Sequence, residues 1–118
     1  MTVWAESKSD GVWSFGSSSY TGDENYGYPM PVSGRVLSLC LRSINPTSDF
    51  NINKTYIVVN GEKTPYYVYG SSANTRCTWA SFDIPLEVAK GDVLNFDTEN
   101  REGTAEAQII SLLIELDL

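Results

Sequence analysis

The feature that most constrains how this chain can fold is a two-residue alternation of apolar and polar side chains. Leu37, Leu39 and Leu41 would point to one face of an extended chain, whereas Ser38 and Cys40 would point to the other face. This period is typical of a strand that is buried on one side only. No segment carries the helical repeat of about 3.6 residues, so the sequence predicts an all-β fold.

Similar patterns predict further strands that are separated by turn residues. The pair Asn60-Gly61 predicts a β-hairpin over residues 55–69, and the spacer at 62–65 leaves the exact turn open. Lys90-Gly91-Asp92 predicts another turn. About seven or eight strands with turns between them indicate an antiparallel β-sandwich of the jelly-roll type, which forms one domain over residues 1–118. The predicted strands cover residues 12–15, 34–43, 55–59, 66–69, 78–84, 93–98 and 105–116.

The last predicted strand is apolar on both faces. Its even-numbered aliphatic residues from 110 to 116 fall on one side, and Ile109 and Leu113 fall on the other. This pattern predicts either a central strand that is buried on both sides or a strand with one side against another subunit.

The segment at residues 16–34 has a different composition. It contains three tyrosines among glycines, prolines and serines, and it shows no regular period. It predicts a long loop, and long loops in small domains commonly make contacts or carry function.

Charge and hydropathy exclude several classes of protein. The formal net charge of −7 argues against a nucleic-acid partner, because nucleic-acid binding needs a basic surface. No apolar stretch has the length of about 20 residues that a membrane span requires, and the first residues do not resemble a secretion signal. We therefore expect neither a membrane partner nor a secretion leader.

The residue types also argue against catalysis. The chain contains no histidine, which removes the commonest general base and a common metal ligand. Asp97 and Glu99 offer carboxylates for a glycosidase or for calcium, but two acids in a polar segment are more often solvated side chains. We expect no catalytic residue, no cofactor and no metal site. The two cysteines, Cys40 and Cys77, could form a disulfide, although the sequence favours two reduced and mostly buried thiols.

Tyrosine is abundant, with seven in the chain, and its amphipathic ring suits contact surfaces. Two groups stand out, one in the long loop and one around a predicted strand. They predict either a patch that contacts sugar or protein, or rings that cover a sandwich edge or a subunit interface. The groups are Tyr20, Tyr26 and Tyr28 in the loop, and Tyr66, Tyr67 and Tyr69 along the strand.

Three short motifs carry a resemblance to known proteins. They are the segment W-S-F-G at residues 13–16, the segment P-V-S-G-R-V at 31–36, and the segment G-D-V-L-N-F at 91–96. In this order the chain resembles the small β-rich head and decoration domains of tailed-phage fibres and other virion surface proteins. Those domains are similar to the jelly rolls of C1q and tumour-necrosis-factor heads.

The resemblance implies a homotrimer on the surface of a bacteriophage virion, made in the cytoplasm of the bacterial host. Its partners would be other virion proteins of the capsid, tail or fibre. No shaft-like segment accompanies the motifs, so a capsid or tail decoration protein stands level with a fibre head. The alternative is a receptor-binding adhesin or lectin head that recognises a glycan or protein on the host surface. The contact candidates are Trp4, Trp13 and Phe15, which we expect to anchor the N-terminal segment, and Tyr20, Tyr26, Tyr28, Tyr67 and Tyr69, which we expect to face outward.

Overall fold

A computed structural model describes residues 1–8, 13–15, 27–47, 50–71, 77–99, 103 and 105–118 of the chain. Within these residues the fold consists of β-strands and one short 3-10 turn, Phe50–Ile52. None of the described residues form a helix long and apolar enough to cross a membrane. The strands are β1 Thr2–Lys8, β2 Trp13–Phe15, β3 Tyr28–Pro29, β4 Gly34–Ile44, β5 Lys54–Val59, β6 Glu62–Tyr69, β7 Thr78–Val88, β8 Val93–Glu99 and β9 Ala107–Leu116.

The strands form two antiparallel sheets. The larger sheet has the order β2-β1-β9-β4-β7, and the smaller sheet has the order β3-β8-β5-β6. From β4 onward the chain passes from the larger sheet to the smaller one, back at β7, across again at β8 and back at β9. Repeated crossing of this kind is the order of a jelly roll, so the prediction of an all-β, jelly-roll-like sandwich is confirmed.

The core lies between the two sheets and is built from the inward side chains of both. Strand β9 contributes Ile110, Leu112 and Ile114, all of them buried. Ile57 and Leu94 meet them from the smaller sheet. Because β9 lies between β1 and β4, it is a central strand, and its even-numbered residues point inward as the sequence predicts.

Strand β4 departs from a strict alternation. A bulge between Val36 and Ser38 shifts its pairing with both β7 and β9. As a result Val36 is fully buried, while Leu37, which the pattern placed on the same face as Leu39, is only half-buried. A bulge inserts one residue into the strand, so side chains before and after it exchange faces.

The β5–β6 hairpin turns at Asn60-Gly61, whose φ angles are 52° and 80°. Two left-handed residues are the signature of the two-residue turn that matches the twist of a hairpin. Strand β6 therefore starts at Glu62, and the spacer that left the turn open is part of the strand. Pro65 is tolerated there because β6 lies at the edge of its sheet.

Three further segments differ from the sequence predictions. Strand β1 was not predicted, because its inward residues Val3, Ala5 and Ser7 are small and only partly apolar. Strand β7 continues to Val88, beyond the predicted end at residue 84. The predicted loop at 16–34 is wrong at its end, where β3 pairs with β8. Residues 16–26 of the predicted loop lie outside the described residues.

Candidate functional site

The outer face of the larger sheet carries exposed apolar side chains. Trp4 on β1 is 45% exposed, Ile109 and Leu113 on β9 are 37% and 48% exposed, and Trp79 on β7 is 71% exposed. These four residues are called the apolar face below. Exposed apolar residues scattered singly are ordinary on a protein surface, but a group on one sheet face marks a contact surface.

Strand pairing determines the shape of the apolar face. Trp4 pairs with Ser111, Ser111 with Cys40, and Cys40 with Trp79, so the two tryptophans lie in one row across the sheet. Ile109 and Leu113 lie on either side of Ser111 along β9. The two tryptophans are three strand spacings apart, or about 14 Å. The small side chains of Ser111 and Cys40 lie between them in the row.

Charged side chains border the apolar face at one end. The Arg35 guanidinium donates to Asp117 Oδ1 at 2.8 Å, to Glu87 Oε1 at 3.5 Å and to Glu115. The hydrogen bonds to Asp117 and Glu115 raise the pKa of Arg35 above its ordinary value. This cluster lies at the end of the sheet next to Leu113, because Arg35 pairs with Glu115 on β9.

The outer face of the smaller sheet carries a different group of aromatic residues. The rings of Tyr56 and Tyr67 have centroids 5.3 Å apart, and those of Tyr67 and Tyr69 are 5.5 Å apart and perpendicular. These three residues are called the tyrosine row. The Lys54 ammonium lies 4.8 Å from the Tyr67 ring centroid and 5.7 Å from the Tyr69 centroid, which are cation–π distances.

A second lysine lies on the same sheet and pairs with two acids. Lys63 Nζ lies 3.1 Å from Asp97 Oδ2 and 2.5 Å from Glu99 Oε2, and it stands 4.9 Å from the Tyr56 ring centroid. The hydrogen bonds to Glu99 and Asp97 raise the pKa of Lys63. The two carboxylates considered for catalysis or calcium are thus partners of one ammonium group.

A groove of about 540 Å³ lies between the tyrosine row and Trp79 of the apolar face. It runs between the edge strands β6 and β7. Tyr67 and Tyr69 line one wall, and Cys77, Thr78 and Trp79 line the other. The Thr78 hydroxyl donates to the Tyr69 carbonyl oxygen, which ties the two sheet edges together beside the groove. We call this feature the aromatic groove.

The remaining contact candidates lie elsewhere. Trp13 is 2% exposed and packs against Phe96 with ring centroids 5.2 Å apart, and Phe15 stacks on the same Phe96 at 5.7 Å. Both therefore join β2 to the chain's own core. Tyr28 is half-buried, with its ring 6.1 Å from Phe15. Tyr20 and Tyr26 lie outside the described residues.

Sequence reasoning did not single out Trp79 or Tyr56. Both occur in predicted strands, but the face that each would occupy depends on the register with the neighbouring strand. Tyr66, by contrast, turns inward, where its ring meets Phe82 edge-on at 4.7 Å and its hydroxyl donates to the Ile84 carbonyl. The outward direction of Trp79 and Tyr56 follows from strand register, because Trp79 pairs with Cys40 and Tyr56 pairs with Tyr67.

The cysteines are free thiols, and each is half-buried on the larger sheet or at its edge. Burial, together with the neighbouring Cys77 thiol, raises the pKa of Cys40 above its ordinary value. Over the described ranges, no three cysteine or carboxylate side chains come together as metal ligands would.

The fold and these surfaces define a jelly-roll β-sandwich with exposed aromatic residues on both sheets. The chain matches no known protein family, no curated protein and no solved structure.

Proposed function

We propose that this protein is a non-enzymatic structural subunit of a bacteriophage virion surface, which assembles as a homotrimer through the apolar face. In this role it would be a capsid or tail decoration protein or the head of a fibre. The phage assignment rests on the resemblance of the three motifs at residues 13–16, 31–36 and 91–96.

The apolar face is the observation that carries the proposal. Among the described residues, five large apolar side chains on strands of the larger sheet are exposed. On strands of the smaller sheet, Tyr69 is the single exposed side chain of this kind. A monomer would leave this face in water. Contact with other copies would bury it, and burial of apolar area is the main favourable term in association.

The centre of the apolar face lacks the charge that would oppose contact between copies of the same chain. Each copy has a formal net charge of −7, so copies repel one another at a distance. The row from Trp4 to Trp79 contains no charged side chain, and the acids nearest one end are paired with Arg35. In the next row Glu6 and Arg42, which carry opposite charges, lie on either side of Ile109.

The apolar face supplies only part of the area that a stable subunit contact must bury. A specific interface buries about 800 Å² on each partner. Aromatic side chains supply about 150–250 Å² each when fully covered, so Trp4 with Ile109 and Leu113 forms the centre of such an interface rather than all of it. Trp79 lies at its edge, because β7 is the edge strand of the sheet.

Two features support a structural rather than a catalytic role. The chain has no histidine, and its candidate carboxylates Asp97 and Glu99 both contact Lys63. Two acids that share one ammonium partner form an ordinary ion-pair cluster of a protein surface.

The first test measures the mass of the protein in solution by analytical ultracentrifugation. We expect a trimer for the unchanged chain and a monomer for Leu113→Glu, because a buried unpaired carboxylate at the centre of the contact is strongly unfavourable. Ile52→Glu is the matched control, since Ile52 is equally apolar and exposed but lies on the 3-10 turn outside the apolar face. A monomeric unchanged chain, or equal loss of assembly in both variants, would contradict the proposal.

The second test concerns location. Purified particles of the phage that encodes the chain should contain it, and cryo-electron microscopy should place it either at regular lattice positions or at a fibre tip. Particles that lack the protein would contradict the virion role. The position distinguishes a decoration protein from a fibre head.

A further inference from the structure

We propose that the aromatic groove and the adjoining tyrosine row form a binding site for a neutral oligosaccharide. This goes beyond the structural role, because a surface subunit with such a site would also recognise glycans in its surroundings. The site comprises Tyr67 and Tyr69 on β6, Trp79 on β7, Tyr56 on β5, and the Lys54 ammonium.

The arrangement of rings fits the two-sided chemistry of a sugar. A pyranose has faces of C–H groups and a rim of hydroxyls, so it is held best by flat apolar surfaces with donors and acceptors beside them. Trp79 and Tyr69 are 71% and 45% exposed and face the same groove. The groove volume of about 540 Å³ lies in the range of small-ligand sites.

Hydrogen-bonding groups stand next to the rings. Within the described part of the chain, the hydroxyls of Tyr56, Tyr67 and Tyr69 have no hydrogen-bond partner among the protein's own groups, in contrast to Tyr66, whose hydroxyl donates to the Ile84 carbonyl. The Lys54 ammonium is held over two ring faces without an acidic partner in the described residues. These groups are available to sugar hydroxyls.

Charge selects a neutral ligand. The described residues that line the groove are uncharged, and the Lys54 ammonium beside it is held over the Tyr67 and Tyr69 rings. The formal net charge of −7 repels acidic polysaccharides and nucleic acid. An uncharged glycan does not meet this repulsion.

The site lies apart from the centre of the apolar face. Tyr56, Tyr67 and Tyr69 belong to the smaller sheet, whereas Trp4, Ile109 and Leu113 belong to the larger one. Trp79 alone stands at the boundary. Variants of the tyrosines therefore test glycan binding without removing the central contacts of the proposed trimer.

The test begins with an array of neutral oligosaccharides built from glucose, galactose, mannose, rhamnose and N-acetylhexosamines, with heparin and polysialic acid as acidic probes. We expect selective binding to neutral probes. Titration of the best soluble probe should then shift the indole N–H signal of Trp79 in NMR spectra. Binding of no neutral probe, or preference for the acidic probes or for apolar peptides, would overturn the inference.

Substitutions locate the site. Tyr69→Ala and Trp79→Ala, which alter opposite walls of the groove, should each weaken binding about tenfold or more, because each removes a stacking surface. Tyr69→Phe keeps the ring and should retain most of the affinity. Unchanged affinity in both alanine variants, with folding verified by circular dichroism, would overturn the inference.

Leu113→Glu separates this inference from the proposed function. Its affinity for a monovalent probe should equal that of the unchanged chain, even where assembly is lost. Affinity lost in Leu113→Glu but kept in Tyr69→Ala would place the binding at the subunit contact and overturn the inference.

Discussion

Asp92 shows how one side chain can join two turns of the sandwich. Its carboxylate accepts a hydrogen bond from the Ala89 backbone N–H at 2.8 Å and another from the Asn60 amide at 2.9 Å. Asn60 in turn accepts from the Val93 N–H at 2.9 Å. The hairpin turn after β5 is thereby connected to the turn that precedes β8. Hydrogen bonds to the ionised form, first from Ala89 and then from Asn60, lower the pKa of Asp92.

This lowered pKa predicts a contribution to acid sensitivity. The unfolded chain binds the proton at the ordinary value of about 3.9, and the folded chain binds it at a lower pH. The stabilisation is therefore fully present above the ordinary value and is lost as the pH falls through the folded pKa. Urea unfolding between neutral pH and strong acid should show a shallower loss of stability below the ordinary value for Asp92→Asn. An unchanged slope would contradict this account.

The same residue type has opposite roles at two positions. Trp13 is buried against Phe96, whereas Trp79 is largely exposed. Trp13→Ala should lower the free energy of unfolding by about 3–5 kcal/mol, because it leaves a cavity in the core. Trp79→Ala should change it by no more than about 0.5 kcal/mol. Chemical denaturation in the Leu113→Glu background measures both free energies of unfolding without a contribution from assembly. Equal losses in the two variants would contradict the assignment of Trp13 to the core and of Trp79 to the surface.

At the scale of the strand, close packing explains a glycine that no turn requires. Gly34 begins β4, where it pairs with Leu116 of β9 and Val88 of β7. A Cβ atom at this position would overlap the backbone carbonyl oxygen of Glu115. A backbone oxygen cannot move aside as the end of a long side chain can, so the sheet must distort to admit a methyl group.

Gly34→Ala should therefore destabilise the fold by about 1–3 kcal/mol, although alanine favours extended structure more than glycine does. Gly61→Ala serves as the comparison, since Gly61 has open space around it and a φ of 80°. Its cost should be about 1–2 kcal/mol and should arise from the left-handed backbone alone. Thermal unfolding compares the stability of the two variants. An unchanged stability in Gly34→Ala would contradict the close approach of the Gly34 and Glu115 backbones.

Strand prediction succeeded where the pattern is local. The alternation along β9 determines which side chains face inward whatever its neighbours are, and Asn60-Gly61 favours a tight hairpin by backbone preference alone. Strand β1 escaped prediction because its inward residues are small, and it is held by pairing with β9 across the full length of the chain.

For the whole molecule, the two sheets differ in surface chemistry. The larger sheet exposes aliphatic and indole groups, and the smaller sheet exposes tyrosines with lysines and acids around them. A division of this kind suits a subunit that uses one side for assembly and leaves the other toward solvent. The acidic net charge opposes nonspecific association of the chain.

Assembly predicts a concentration-dependent stability. Because a trimer dissociates on unfolding, the midpoint temperature should rise with protein concentration for the unchanged chain. It should not do so for Leu113→Glu. Calorimetry over a wide concentration range measures this, and a midpoint that is independent of concentration in the unchanged chain would contradict assembly through the apolar face.

The sequence by itself determined the all-β class, most strands, the hairpin turn and the inward face of β9, since these depend on side-chain period and local backbone preference. Only the tertiary structure decided the bulge that brings Val36 inward, the outward direction of Trp79, and the meeting of Tyr69 with Trp79 in one groove. These features depend on register between strands and on packing between sheets. Register and packing join residues that are far apart in the chain, so no local pattern encodes them.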